Sequence, residues 1–242
     1  MLKRELKKQL YTRWDEITLM LVVEAGFFLF GELMLAAAVY GIGGKERTVI
    51  PIGTMLAVCV PVILMVFFGM SSLAMNFNLA VSMGSVRSRY VMAMLGVSYL
   101  QAVALLWIAD LFYALEQWIF RVAYAGMKNE LEMGVFFQWK YILPVSLAVV
   151  AIAALIGALF LRFGKGVFVI FWICWMAAVI GGPQLAKILA SKKDNAFLRM
   201  LRIMARGFCG FPQAGLLVII TAISVAMLAA AWMVLRRQQV VT

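Results

Sequence analysis

Histidine is absent from this 242-residue sequence, and cysteine occurs only three times. Without histidine, the chain cannot build a His-based proton relay, a Ser–His or Cys–His nucleophile pair, or an HExxH zinc site. The cysteines (Cys59, Cys174 and Cys209) are scattered and form no CxxC pair, and their odd number does not support a disulfide framework. The sequence therefore predicts neither an enzyme nor a metal site.

Charged residues are also scarce: they make up 14% of the chain, whereas hydrophobic residues make up 65%. A soluble domain carries about a quarter charged residues, so this chain is expected in a bilayer rather than in water. The formal net charge is +11, but the basic residues lie mostly outside the apolar stretches, where they would face lipid phosphates. Nucleic-acid binding is therefore not expected.

Long apolar stretches dominate what is present. Six of them could cross a hydrocarbon core of about 30 Å as helices, at approximately 17–40, 50–72, 91–118, 141–161, 167–190 and 214–235. We therefore predict an all-α integral membrane protein with a single six-span transmembrane domain over residues 1–242. No cleavable signal is expected, because the first apolar stretch is itself of spanning length.

An amphipathic pattern precedes the first span. Over residues 1–16, Leu2, Leu6, Leu10 and Trp14 recur every four residues among lysines and arginines. Such a pattern predicts a helix that lies in the membrane interface, with a disordered basic tail as the alternative.

A second amphipathic pattern precedes the last span. Arg199, Arg202 and Arg206 share one helical face opposite apolar residues, which predicts a short helix at the outer membrane surface. A bend is expected just before it, at GGPQ (181–184), because Pro183 lacks a backbone donor and Gly181 and Gly182 tolerate distortion. A five-span topology that leaves this loop in the cytoplasm is the alternative.

The basic residues divide equally between the two sides of this topology, so the positive-inside rule gives no clear orientation. We place the N-terminus inside because the densest basic cluster precedes the first span, which usually dominates orientation. The expectation is a multi-pass protein of the cell (plasma) membrane with both termini cytoplasmic.

Four acidic residues lie within or at the ends of the apolar stretches: Glu24, Glu32, Asp110 and Glu116. An ionised carboxylate at the bilayer centre costs about 2.5–3.5 kcal/mol on insertion scales, so each should face protein or water. We predict that they line a translocation path for a cationic or amphipathic cargo. Polar contacts between helices are the alternative and, for Glu116, an ordinary position at the interface.

No glycine-rich phosphate cradle is found. GIGGKERT (41–48) contains a Gly-Lys pair, but it lacks the first glycine of a P-loop and the Ser or Thr that binds magnesium. FGKGV (163–167) fails in the same way. The chain is not expected to bind ATP by a P-loop.

One polar stretch, NFNLAVSMGSVRSRY (76–90), interrupts the apolar sequence between the second and third spans. Its apolar positions suit a short cytoplasmic helix, and its arginines could pair with acidic residues of a soluble partner. The segment MGSVRSRYVMAMLGVSYLQA resembles the MG-x-x-R-x-x-[FY] segment in permease subunits of bacterial ABC-2-type exporters. The resemblance is to small six-span subunits of Gram-positive peptide and antibiotic-resistance transporters.

The resemblance implies that this stretch is a coupling helix that docks on a separate cytosolic ABC ATPase. ATP and magnesium would bind to that partner, and a second permease subunit, identical or paralogous, would complete the exporter as a dimer. The implied coupling residues are Asn76, Asn78, Ser82, Met83, Gly84, Arg87, Arg89 and Tyr90. The implied extracellular gate consists of Gly181, Gly182, Pro183, Arg199, Arg202 and Arg206.

The implied function is ATP-driven export of an amphipathic peptide or a hydrophobic small molecule. Two other classes stay open. A secondary transporter would need inverted repeats and broken helices, for which the GGP break has no convincing partner. A membrane scaffold or accessory subunit without transport would account for the missing catalytic residues.

Overall fold

The computed structural model describes residues 2–41, 48–82, 86–124, 127–129, 131–190 and 213–237. Within these ranges the α-helices are α1 (Leu2–Thr12), α2 (Trp14–Gly41), α3 (Ile52–Ser82), α4 (Arg87–Ala123), α5 (Trp139–Phe163), α6 (Lys165–Ala190) and α7 (Gln213–Arg237). Two short strands, β1 (Thr48–Val49) and β2 (Lys128–Asn129), pair in parallel, and a 3₁₀ turn spans Gly134–Phe137. Helices α2 to α7 are long and apolar enough to cross a membrane, which confirms the six predicted spans by length and composition.

The segment between the second and third spans differs from the expectation of a separate short helix. Helix α3 runs without interruption to Ser82, and α4 begins at Arg87. Neither glycine nor proline occurs between Ser71 and Ser82, so a helix that has formed can propagate through this stretch. The predicted coupling residues therefore divide between the end of α3 (Asn76, Asn78 and Ser82) and the start of α4 (Arg87, Arg89 and Tyr90), while Met83 and Gly84 lie outside the described residues.

The segment after the fifth span also differs in part. Helix α6 continues through Gly181, Gly182 and Pro183 to Ala190, so the predicted bend falls inside a helix rather than at its end. The predicted outer-surface helix with Arg199, Arg202 and Arg206 lies outside the described residues.

Helix α3 lies at the centre of the bundle, where it packs against α2, α4 and α5. Helix α5 also packs against α7, and α1 lies against α4. Helix α6 contacts α5 but buries none of its residues between Lys165 and Gly182 within the chain. The centre of the molecule is therefore α3 with its three neighbours.

The bundle has two ends, because consecutive spans alternate in direction. The Arg13 end contains α1, the end of α3, the start of α4, and Gly164, which joins α5 to α6 in one residue at φ 72°. That left-handed conformation favours glycine. The Glu116 end contains the β1–β2 pair and the 3₁₀ turn.

Close backbone approaches hold α3 on two sides. A Cβ atom on Gly31 of α2 would come within 2.6 Å of the Cα of Gly53 in α3. A Cβ on Gly157 of α5 would lie 2.9 Å from Cδ2 of Leu73 in α3. Glycine at such positions lets membrane helices approach closely enough for extensive van der Waals contact. These two contacts fix where α3 sits against α2 and α5.

Replacing Gly31 by alanine should weaken the contact between α2 and α3. The added methyl group would overlap the backbone of Gly53, and overpacking of this kind costs about 1–3 kcal/mol. Thermal unfolding of the purified protein in detergent, followed by tryptophan fluorescence, should show a lower midpoint. Gly26→Ala is the matched control on the same helix, because nothing lies within 4 Å of its Cβ position. If both variants unfold at the same temperature, the contact does not stabilise the bundle.

Candidate functional site

A buried carboxylate at the Glu116 end caps the central helix. The side chain of Glu116 in α4 is completely buried. It accepts hydrogen bonds from the backbone N–H groups of Gly53 and Thr54, each at 3.0 Å, and from the Thr54 hydroxyl. The first N–H groups of a helix lack intrahelical partners and form the positive end of its dipole. Glu116 therefore supplies the N-terminal cap of α3 from a neighbouring helix.

Glu32 of α2 reaches the same place. The position that a Cβ of Gly53 would occupy is 2.7 Å from Glu32 Oε1 and 3.2 Å from Glu116 Oε1, so only glycine leaves room for both carboxyl groups. Glu32 Oε1 is buried and has no hydrogen-bond partner among the described residues. Glu32, Glu116, Gly53 and Thr54 are referred to below as the carboxyl site.

Apolar layers enclose the carboxyl site along the bundle axis. On the side toward the Arg13 end, Phe28 of α2 stacks on Phe112 of α4 with ring centroids 4.6 Å apart. On the other side lies a cluster of Leu35, Val49, Phe120 and Tyr124. This environment lowers the local dielectric and strengthens every hydrogen bond to Glu116.

The other two predicted acidic residues do not join the carboxyl site. Glu24 lies about 12 Å from Glu32 along α2, and Asp110 lies about 9 Å from Glu116 along α4. Glu24 is only 1% exposed, and neither of its carboxyl oxygens has a hydrogen-bond partner among the described residues. The structure therefore brings together Glu32 and Glu116 and leaves Glu24 and Asp110 apart.

A second polar group joins α1 to α4 at the Arg13 end. Arg13 is buried, donates to both carboxylate oxygens of Glu16 at 2.7 and 2.9 Å, and donates to the Ser98 hydroxyl at 2.6 Å. Gln9 is hydrogen-bonded to the side chain of Tyr90. In the sequence, Arg13 is one of several basic residues of the N-terminal segment. Glu16, three residues later, is the only nearby residue that indicates an ion pair with it.

The predicted coupling residues fall into two groups. Asn76 and Arg89 are exposed, and Arg87 is partly exposed. Tyr90 is only 4% exposed and packs edge to face against Phe77, so it is not available as a docking contact. For Asn78 and Ser82 the structure describes the backbone alone.

A cavity of about 450 Å³ opens beside these residues, between the start of α4 and the end of α7. Its lining combines apolar and basic side chains, including Phe77, Arg87, Ser88, Trp232 and Arg236. Such a lining suits an apolar segment that carries an acidic group.

The sequence matches no protein-family model and no curated protein, and the structure matches no solved structure. Function is therefore argued from the geometry of the chain itself.

Removing the Glu116 carboxylate should destabilise the bundle. Glu116→Ala leaves the N–H groups of Gly53 and Thr54 buried without an acceptor, at about 1–3 kcal/mol for each unsatisfied group. Glu116→Gln keeps an acceptor oxygen and should lose less. Thermal unfolding midpoints should rank wild type above Glu116→Gln and Glu116→Gln above Glu116→Ala. Glu132→Ala, an exposed carboxylate in the loop before the 3₁₀ turn, should match wild type.

Proposed function

We propose that this chain is the membrane-spanning subunit of an ATP-driven exporter of ABC-2 type, coupled to a separate cytosolic ATPase subunit. The observation that carries the proposal is the hairpin at the Arg13 end, where the last turns of α3 and the first turn of α4 present polar and basic groups. The proposal is also consistent with the absence of a P-loop from the sequence, because ATP would then be hydrolysed by a partner subunit.

The hairpin has an exposed surface on a rigid base. Met75 is 75% exposed and Val86 is 53% exposed, and both lie near the exposed Asn76 and Arg89. Beneath them, Phe77 and Tyr90 belong to a buried apolar cluster that includes residues of α3, α4, α5 and α7. A partner that binds the exposed surface would therefore push on four helices together.

The rigid base also connects the hairpin to the opposite end of the bundle. Helix α3 is 31 residues long, which corresponds to about 46 Å at the rise of an α-helix. The helix contains Pro61, which lacks a backbone donor and marks a point where the helix can bend. A displacement of its last turn would reach its first turn, which Glu116 caps, through that point. A continuous helix suits a coupling role better than the separate short helix expected from the sequence, because it transmits movement directly.

The basic groups indicate what the partner presents. Arg87 and Arg236 line the 450 Å³ cavity, and Arg89 is exposed beside it. Arginine favours carboxylates because its planar guanidinium can form two parallel hydrogen bonds with them. We therefore expect acidic side chains and at least one apolar side chain on the docking surface of the ATPase.

In this proposal the Arg13 end faces the cytosol, and the protein lies in the cell membrane with both termini inside. Two permease subunits, identical or paralogous, would form the path for an amphipathic peptide or a hydrophobic small molecule. Glu32 and Asp110, which are partly exposed, would line that path, whereas Glu24 and Glu116 are buried inside the subunit. Residues 181–183 with Arg199, Arg202 and Arg206 would close its outer end.

Charge reversal at the hairpin should release the ATPase. We expect affinity purification from mild detergent to recover an ATPase with a Walker A motif near one copy per permease, and Arg87→Glu with Arg89→Glu to lose it. Arg121→Glu is the matched control, because Arg121 is exposed at the opposite end of the same helix. Size-exclusion profiles and circular dichroism must show that both variants remain folded.

Two results would contradict the coupling role. One is retention of the ATPase by the folded double variant. The other is recovery of the chain alone under several gentle conditions, which would favour a self-sufficient secondary transporter or a scaffold.

A further inference from the structure

The side chain of Glu24 is isolated in the interior of the bundle. It lies one helical turn from Met20 and one turn from Phe28 on the same side of α2, and both of these neighbours are buried. Its own exposure is 1%, and both carboxyl oxygens lack a hydrogen-bond partner among the described residues. An ionised carboxylate without donors is very unfavourable in such a place, because neither water nor a dipole replaces its hydration.

No described group of opposite charge compensates Glu24. Among the arginines whose side chains the structure describes, only Arg13 is deeply buried, and it is already paired with Glu16 and Ser98. On the elements packed against α2, the titratable or charged residues whose side chains the structure describes are Cys59 on α3; Arg87, Arg89, Tyr90, Tyr99, Asp110, Tyr113, Glu116 and Arg121 on α4; and Lys7, Lys8 and Tyr11 on α1.

The absence of partners also decides which cation could neutralise Glu24. Metal ions need several oxygen ligands, and Glu24 has no second ligand at hydrogen-bonding distance among the described residues. The described residues contain no group of three or more acidic or cysteine side chains that could hold a metal ion. A proton is the one cation that a single carboxylate binds without further ligands.

We propose that Glu24 is a proton-binding site inside the membrane, un-ionised in the closed bundle and exchanging its proton with water when the bundle opens. In the exchange, the carboxyl O–H bond breaks and the proton passes to a water molecule, leaving a carboxylate. This inference goes beyond export driven by an ATPase, and it does not depend on the docking hairpin.

The carboxyl site lies between Glu24 and the Glu116 end, and the stacked rings of Phe28 and Phe112 separate it from Glu24. Glu32 lies two turns further along α2 and is only partly buried. Beyond it, a cavity of about 380 Å³ is lined by Gln117, Arg121, Tyr124 and Asn129. Water can therefore reach this end of the bundle, but apolar layers on both sides of the carboxyl site separate it from Glu24 in the closed bundle. Exchange of the Glu24 proton therefore requires the bundle to open.

Infrared spectroscopy of the purified full chain in lipid nanodiscs tests the protonation state. The difference between wild type and Glu24→Gln should contain the carbonyl band of an un-ionised, weakly hydrogen-bonded carboxylic acid. This band should persist at neutral pH, far above about pH 4.3, where an ordinary glutamate is half ionised. The matched control, Glu132→Gln, removes an exposed carboxyl group and should show only carboxylate bands at neutral pH. Carboxylate bands alone in the Glu24 difference would overturn the proposal.

Deuterium exchange tests whether the proton is exchangeable. After transfer to D₂O, the Glu24 band should shift to lower frequency while the protein stays folded. A band that never shifts would mean that Glu24 is a permanently neutral structural residue and would overturn the exchange.

Stability provides a second readout. A proton that binds more tightly to the folded than to the unfolded chain stabilises the fold at low pH. This stabilisation is lost over the pH range in which the folded chain releases the proton. The unfolding midpoint of wild type should therefore fall at alkaline pH, and Glu24→Gln, which mimics the un-ionised acid, should fall less. Equal pH dependence in the two proteins would count against the site.

Discussion

The cap that Glu116 provides for α3 is the interaction on which the rest of the bundle depends. In a bilayer, the first N–H groups of a helix cannot rely on water unless they reach the interface. Here the acceptor comes from a residue 63 positions away in sequence, so the start of α3 is tied to α4. Because α3 packs against α2, α4 and α5, fixing its first turn sets the register of the whole core.

The glycines follow from the same interaction. Gly53 must present its N–H to Glu116 and must also leave space for Glu32, and a Cβ atom would exclude the second carboxyl group. Gly31 then permits the backbones of α2 and α3 to touch just beside this point. The close packing of α2 on α3 and the hydrogen bonding of Glu116 therefore depend on neighbouring glycines. A substitution at Gly53 would change both.

The sequence predicts the spans well and their mutual arrangement poorly. Hydropathy identifies a helix because every apolar residue adds to the signal, and the six spans and the N-terminal helix are confirmed in this way. Register between helices has no such local signal. Nothing in the sequence near Glu116 indicates that its side chain contacts Gly53 and Thr54. The sequence also does not show that Tyr90 packs against Phe77, because this contact depends on how α3 and α4 pair. Tyr90 was therefore assigned to the docking surface.

The length of α3 shows a second feature that the sequence does not predict, namely where a helix ends. The polar residues after Ser72 suggest that a membrane span has ended, and they do mark where the apolar sequence stops. A helix, however, ends where its backbone loses hydrogen bonding, and asparagine and serine do not force that ending. Composition therefore does not locate the end of a helix here: α3 continues past its apolar sequence to Ser82, and α6 continues through Gly181, Gly182 and Pro183.

Three buried ionisable groups differ in the hydrogen bonds that the apolar interior gives them. Arg13 donates hydrogen bonds to Glu16 and Ser98. Glu116 accepts hydrogen bonds from the N-terminus of α3. Glu24 has neither a counter-charge nor a donor among the described residues. The position of hydrogen-bond donors, rather than burial alone, therefore distinguishes Glu24 from the other two residues and is the reason for proposing proton exchange there.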